Sequence, residues 1–380
     1  MSPDWHTITN EQDVESPALL LYPDRIRENI RRMIAIAGNP ARLRPHVKTH
    51  KLPGVIRMQV EAGIARFKCA TLSEAAMVAE NGGKDILVAY PLYGPAVDRL
   101  FGLIKKYPDI RFSMLIDHEA QARAIAGRAE SAHLVPGVYI DLNVGMNRTG
   151  ITPGSDAMAL YRLLENEPHL QLRGLHIYDG HLHQADRAER EANCTAGFEA
   201  VNGMLAALEK EGLRPEELVC GGTPTFPIHA GHPERTLSPG TVLLWDWGYS
   251  TKFQDLDFQH AAVLLTRVIS KPGKNKLCLD LGHKAVASEM TPPRVHFIGI
   301  PDYEHIGHSE EHLVIAFEGA ERFSAGDCLY GIPVHICPTV ALHDAVWAVT
   351  GHRAVEKWRV SARTRETSPP NTIPETQHTI

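Results

Sequence analysis

Between residues 42 and 246 the chain repeats one pattern: a short β-rich run, a stretch of helical composition, then another run. The runs are RLRPHVKT, RFKCATLS, DILVAYPL, RFSMLID, GVYIDLNV, LRGLHIYDG, ELVCGGTPT and TLSPGTVLLWD, eight in all. Between them lie segments such as DAMALYRLLENE and SEAAMVAENGG, whose final Gly-Gly is a helix stop. Strand and helix in alternation imply parallel βαβ units, because a parallel neighbour is reached only through a crossover. Eight such units predict a closed (β/α)8 TIM-type barrel rather than an open doubly wound sheet.

After residue 258 the runs AAVLLTRVIS, KLCLDLG, RVHFIGI, EHLVIAFE, CLYGIPV, DAVWAVT and EKWRVSA follow one another with no helical stretch between them. They predict a second, mainly antiparallel β domain. The expected division is a barrel over 18–248 and a β domain made of 1–17 plus 249–365. Residues 366–380 lack any apolar period and are expected to form a loosely held tail.

With 43% hydrophobic residues in a chain of 380 there is material for a large core. A net charge of −6 without long Lys/Arg tracts argues against nucleic acid or an anionic membrane as partner, and favours a small molecule. No basic segment precedes an apolar one at the start, and six scattered cysteines form no CxxC pair. Both features lead us to expect a cytoplasmic protein with reduced thiols.

Three stretches carry candidate chemistry. RPHVKTHK, residues 44–51, crowds Arg44, His46, Lys48, His50 and Lys51 into an otherwise acidic chain. Lys48 ends the first expected strand, on the side where barrel active sites gather. A lysine there can form a Schiff base with an aldehyde cofactor, and like-charge repulsion from Arg44, His46 and Lys51 would favour its neutral amine. The other reading is a solvated basic loop. Cys220-Gly221-Gly222-Thr223-Pro224-Thr225 follows a strand and could turn backbone N–H groups toward a phosphate, or be an ordinary tight turn. In PVHICPTVALHD, residues 333–344, His335 and Cys337 are one residue apart. On an extended strand they share a face and could bind one divalent cation, or simply pack in the core. The ends of the expected strands also bear Arg148, Tyr178, His181 and His183.

Taken together, RPHVKTHK, NVGMNRTG, GGTPT and above all PVHICPTVALHD resemble the D-threonine aldolase and D-serine dehydratase group of fold-type III pyridoxal 5′-phosphate (PLP) enzymes, which share the architecture of alanine racemase. The resemblance runs from about Ser16 to Ala362. It implies that Lys48 holds PLP, with His46, Gly221, Gly222, Thr223, Gly240 and Thr241 around the cofactor and its phosphate, and Arg148 and Tyr178 flanking the ring. His335 and Cys337 would hold a divalent metal (Mn2+, Zn2+ or Mg2+) beside the substrate's β-hydroxyl, with His183 or His181 as base. The implied activity is a lyase that cleaves 3-hydroxy-D-amino acids to glycine and an aldehyde. The alternatives are a D-serine or 3-hydroxy-D-aspartate dehydratase and, behind these, a racemase or a non-catalytic PLP binder. A cysteine at 337 points to the dehydratases, whereas the flanking PTVALHD and the later EKWRVSARTR point to the aldolases. The resemblance also implies a homodimer.

Overall fold

The computed structural model describes residues 5–300 and 302–365, so the expected tail at 366–380 lies outside the described residues. Strand β1 (Ala18–Leu21) comes first and is set apart from the strands that follow it. Then β2 (Arg66–Cys69), β3 (Asp85–Pro91), β4 (Arg111–Ile116), β5 (Gly137–Leu142), β6 (Gln171–Ile177), β7 (Glu217–Cys220) and β8 (Arg235–Leu237) pair in sequence order, all parallel. The first expected strand is not among them. Residues 43–46 nevertheless stand in its place: the Arg44 and His46 N–H groups donate to Leu237 O and Pro239 O, each at 2.8 Å, and the Lys68 N–H donates to Pro45 O at 2.9 Å. The ring thus closes through isolated bridges, because Pro45 has no N–H to offer a regular ladder.

Side chains alternate along these strands. Phe67, Cys69, Ile86, Val88, Met114 and Ile116 join the main core beneath the helices, whereas Leu87, Leu115, Tyr139 and Val219 form a separate cluster in the lumen. Arg44 is buried with that second set, ion-paired to Asp85 at 2.9 Å and Glu217 at 2.8 Å. The helices between strands follow the expected segments: Leu72–Glu80 starts at Thr71, whose hydroxyl accepts the Glu74 N–H, and Ser155–Glu165 covers DAMALYRLLE.

The second sheet comprises β9 (Ala262–Gly273), β10 (Lys276–Leu279), β11 (Val295–Phe297), β12 (Glu304–His308), β13 (Leu313–Ala316), β14 (Cys328–Pro333), β15 (Ala345–Thr350) and β16 (Arg353–Arg359), together with β1. Its pairs are antiparallel except β1 with β15. Residues 18–21, expected at the start of the barrel, therefore lie in the second sheet. ALLL is buried at all four positions and fits between β9 and β15, where both of its faces are covered. Among the described residues no helix is long and apolar enough to cross a membrane, and all six cysteines are free thiols.

Candidate active site

Lys48 sits in a single 3₁₀ turn, Val47–Thr49, that carries the chain out of the barrel wall. Its four basic neighbours are committed elsewhere. Arg44 faces the opposite end of the lumen in its ion pairs. His46 accepts the Lys48 N–H on Nδ1 at 3.3 Å, and burial, then the Lys48 charge, hold its pKa well below the usual histidine range. His50 accepts the Leu52 N–H at 3.1 Å, and burial pushes its pKa down to about 3. Lys51 adopts a left-handed backbone, φ 54°, and pairs with the buried Glu74, which also accepts the Ala70 N–H at 2.6 Å. The expected repulsion from Arg44 and Lys51 is thus spent on their own carboxylates. Among the described residues the Lys48 amine has no hydrogen-bond or ion-pair partner, and it lines a cavity of about 730 Å³ with His46, Ala70, Tyr90, Tyr93 and Arg148.

The cation that does stand near Lys48 is Lys68, which sequence reasoning missed. Its side chain is 2% exposed, with Nζ 5.3 Å from the centre of the Tyr178 ring. Arg148 lies 5.2 Å from the same centre, and the His176 ring lies nearly parallel to it, 6.4 Å away. Two glycines make room for this tyrosine: a Cβ on Gly180 would fall 2.2 Å from the ring and one on Gly222 3.1 Å from it. His176 Nδ1 is 2.7 Å from Asp141, whose other oxygen accepts the Thr149 hydroxyl at 2.7 Å. Burial works against the Asp141 charge, yet His176 and Thr149 keep its pKa below the usual carboxylate range. Of the two candidate bases, His183 is exposed, whereas His181 is half-buried with its Nε2 against Gly145, in the loop that carries Arg148.

The glycine turn follows β7. Gly221 has φ 72°, and a Cβ there would come within 2.5 Å of His229. The Gly222 N–H donates to Thr225 Oγ1 at 3.3 Å, and that hydroxyl donates to Asp179 at 2.7 Å. The Thr223 hydroxyl accepts the Gly240 and Thr241 N–H groups, each at 3.1 Å, so the two segments expected around a phosphate do meet. Behind them Asp179, Cys194 and His229 bring three metal-type donor atoms within 4.8 Å of one another. Here they serve each other instead. The Arg235 guanidinium donates to His229 Nδ1 at 3.0 Å, which leaves the ring proton on Nε2 to donate to Asp179 at 2.8 Å. Burial pushes the Cys194 thiol up to about 12, so it stays protonated. The cluster is a buried hydrogen-bonded strut beneath the turn.

His335 and Cys337 are not on the extended strand expected for them. β14 ends at Pro333, His335 caps the helix Ile336–Leu342, and Cys337 lies in its first turn, where Pro338 also favours a helix start. The pair is brought together all the same. Burial raises the Cys337 thiol, but the His335 imidazole hydrogen-bonded to it, with Lys48 and Thr49 nearby, draws its pKa below the ordinary value. Burial likewise disfavours a charged His335, yet Cys337 and Glu289 lift it to about 9. Cys337 Sγ is 3.2 Å from Thr49 Oγ1 and 3.7 Å from Thr241 Oγ1, which ties the β domain to the residues following Lys48 and Gly240. Asp246, its pKa pushed up to about 6 by burial, accepts the Ile336 N–H at 3.0 Å and fixes the start of the helix. A nitrogen and a sulfur donor side by side form a borderline-soft, incomplete coordination set.

Comparison with known proteins gives a consistent picture. Residues 22–246 match the family model described as alanine racemase, N-terminal domain, and residues 261–349 match a putative serine dehydratase domain. A D-threonine aldolase from Arthrobacter sp is 28% identical over 356 residues, covering 92% of this chain and 93% of the relative. A 3-hydroxy-D-aspartate aldolase from Paracoccus denitrificans (strain Pd 1222) is 28% identical over 366 residues, covering 93% of each. The crystal structure of D-threonine aldolase from Filomicrobium marinum superposes with a TM-score of 0.86 at 27% identity, covering 95% of this chain and 99% of that one.

Proposed function

The chain belongs to the family described as alanine racemase, N-terminal domain, and on that premise we propose that it is a PLP- and divalent-metal-dependent lyase cleaving 3-hydroxy-D-amino acids to glycine and an aldehyde. One observation carries the reading: the uncommitted Lys48 amine and the His335–Cys337 pair, from different domains, converge at one barrel mouth, with Thr49 3.2 Å from Cys337.

The residues fit the cofactor. Lys48 is free to hold its aldehyde, Tyr178 and Arg148 lie together for its ring, and residues 221–223 and 240–241 meet at one place for its phosphate. When bound, PLP supplies an electron sink for the pair left at Cα once a bond to that carbon breaks. Which bond that is would be set by how the residues of this barrel mouth orient the substrate at Cα. His335 and Cys337 would hold the metal and with it the β-hydroxyl; of Mn2+, Zn2+ and Mg2+, their N,S donor set suits Zn2+ best. His181, packed against the Arg148 loop, is the better candidate than exposed His183 to take the hydroxyl proton as Cα–Cβ opens. The same reading includes a cytoplasmic homodimer. Six free thiols suit a reducing compartment, and Tyr90 and Tyr93, 59% and 60% exposed at the rim of the cavity, suit a covering partner.

A second reading, a D-serine or 3-hydroxy-D-aspartate dehydratase giving a keto acid and ammonia, draws on Cys337 and on the match of residues 261–349 to a putative serine dehydratase domain. There Lys48 would take the Cα proton and the β-hydroxyl would leave. Incubation with D-threonine separates the two: acetaldehyde with glycine is the expected outcome, and 2-oxobutyrate with ammonia in their place would overturn the aldolase assignment.

A further inference from the structure

Lys68 is a buried amine that the reaction outlined above does not use. It projects into the lumen from β2, at 2% exposure, with Nζ beneath the Tyr178 ring. Burying an ammonium is costly unless a counter-charge sits beside it. Among the described residues none does. The two carboxylates whose charges reach Lys68 are both committed: Asp141 to His176 and Thr149, and Asp179 to His229 and Thr225. The remaining groups around it are His46 and Lys48 from the closing segment, His176 and Tyr178 at the end of β6, and Cys220 at the end of β7. Burial holds the Cys220 thiol up, so it supplies no anion at neutral pH. On the same floor His176 Nε2 is buried and has no hydrogen-bond partner. An amine without an anion and an imidazole nitrogen without a partner, both packed about the ring of Tyr178, make a site that lacks its negative group.

We propose that Lys68 is the counter-cation reserved for the anionic cofactor, and that it takes up a proton when the cofactor binds. The inference rests on the PLP reading of the site. Burial, followed by the Lys48 charge, brings the Lys68 pKa down to about 7 in the free protein, so at pH 8 most of the molecules hold it neutral. An anion arriving in the lumen mouth restores the charged form, and the proton comes from solvent. The free protein therefore carries a destabilising group that cofactor binding relieves.

The test is calorimetric titration of the cofactor-free protein with PLP at pH 8, in two buffers of different ionisation heat, for wild type and Lys68→Met. Wild type should take up roughly one more proton per site than the variant, and the variant should bind PLP at least about tenfold more weakly. Cofactor-free Lys68→Met, rid of a buried unpaired amine, should unfold at a higher temperature than cofactor-free wild type. Equal proton uptake and equal affinity would overturn the proposal, and so would a lower unfolding temperature for the cofactor-free variant, which would mark Lys68 as a structural strut. Lys68→Gln serves the same comparison should the Met variant fail to fold. A wild type that binds PLP with the expected absorbance while the variant matches it sinks only the role of Lys68. A wild type that binds no PLP sinks the cofactor reading itself.

Discussion

At the level of single residues, a side chain is available for chemistry where the fold leaves its polar group without a partner. The sequence singles out Lys48, and the structure leaves Lys48 alone uncommitted among the five basic side chains of 44–51. What could not be read was where the other charges point. Arg44 and Lys51 are paired with Glu217, Asp85 and Glu74, residues that only the fold brings near. For Lys68 the sequence does hold a signal: in RFKCATLS the apolar Phe67 and Cys69 face the helices, so alternation sends Lys68 into the lumen. The tightest steric demand in the site falls on Gly180, where any Cβ would overlap the Tyr178 ring. Gly180→Ala is expected to displace that ring and cut kcat/KM at least about tenfold, through misplacement of the groups it flanks. Circular dichroism should show an intact fold, and retention of full activity would mean that Tyr178 does not border the reacting groups.

At the level of elements, seven of the eight expected barrel strands form, and the exception has a local cause in Pro45. The strand β12 has no signal in the sequence, because YEHIGH shows no apolar alternation and the strand's residues are nowhere fully buried. The His-x-Cys stretch has the composition of a strand, while the proline after Cys337 turns it into the first turn of a helix. The far end of the barrel is closed by a polar plug that no motif announces: Arg44 from the closing segment, Asp85 from β3, Tyr139 from β5 and Glu217 from β7, with Arg66 from β2. Burial opposes the Glu217 charge, but Arg44 and Arg66 hold its pKa down to about 2. Its folded value thus lies below its unfolded one, so the unfolded chain binds more protons between roughly pH 4.5 and 2. The stabilisation is complete above that window and is lost as pH falls through it. Glu217→Gln, which strands Arg44 with half its counter-charge, should cost about 3 kcal/mol near neutrality. Urea unfolding of the variant should also lose the part of the acid dependence that wild type shows in that window; an unchanged midpoint at pH 7 would remove the plug from the account of stability.

For the molecule as a whole, the two-domain plan follows from the change of pattern near residue 258, but the assignment of β1 does not. A four-residue apolar run suits either sheet, and only the vacant position between β9 and β15 decides it. The consequence is functional, since the chain passes from the second sheet into the barrel at residue 22 and returns after 246, and the helix bearing Cys337 closes down on Thr49 and Thr241. His335 and Cys337 meet the barrel through such polar contacts, and at their centre, against burial, Cys337 and Glu289 lift the His335 pKa to about 9 while His335 draws the Cys337 thiol below its ordinary value. A divalent cation that replaces the imidazole proton would exchange one hydrogen bond for two coordinate bonds at the seam between the domains. Binding to the folded form alone stabilises it by about 2.7 kcal/mol when the cation is present at a hundred times its Kd. Zn2+ should therefore raise Tm by a few degrees, a chelator should reverse the shift, and Cys337→Ala should abolish it while leaving the absorbance of bound PLP in place. A Tm that does not move with Zn2+, Mn2+ or Mg2+ would remove the metal from this seam, and with it the group proposed to hold the β-hydroxyl.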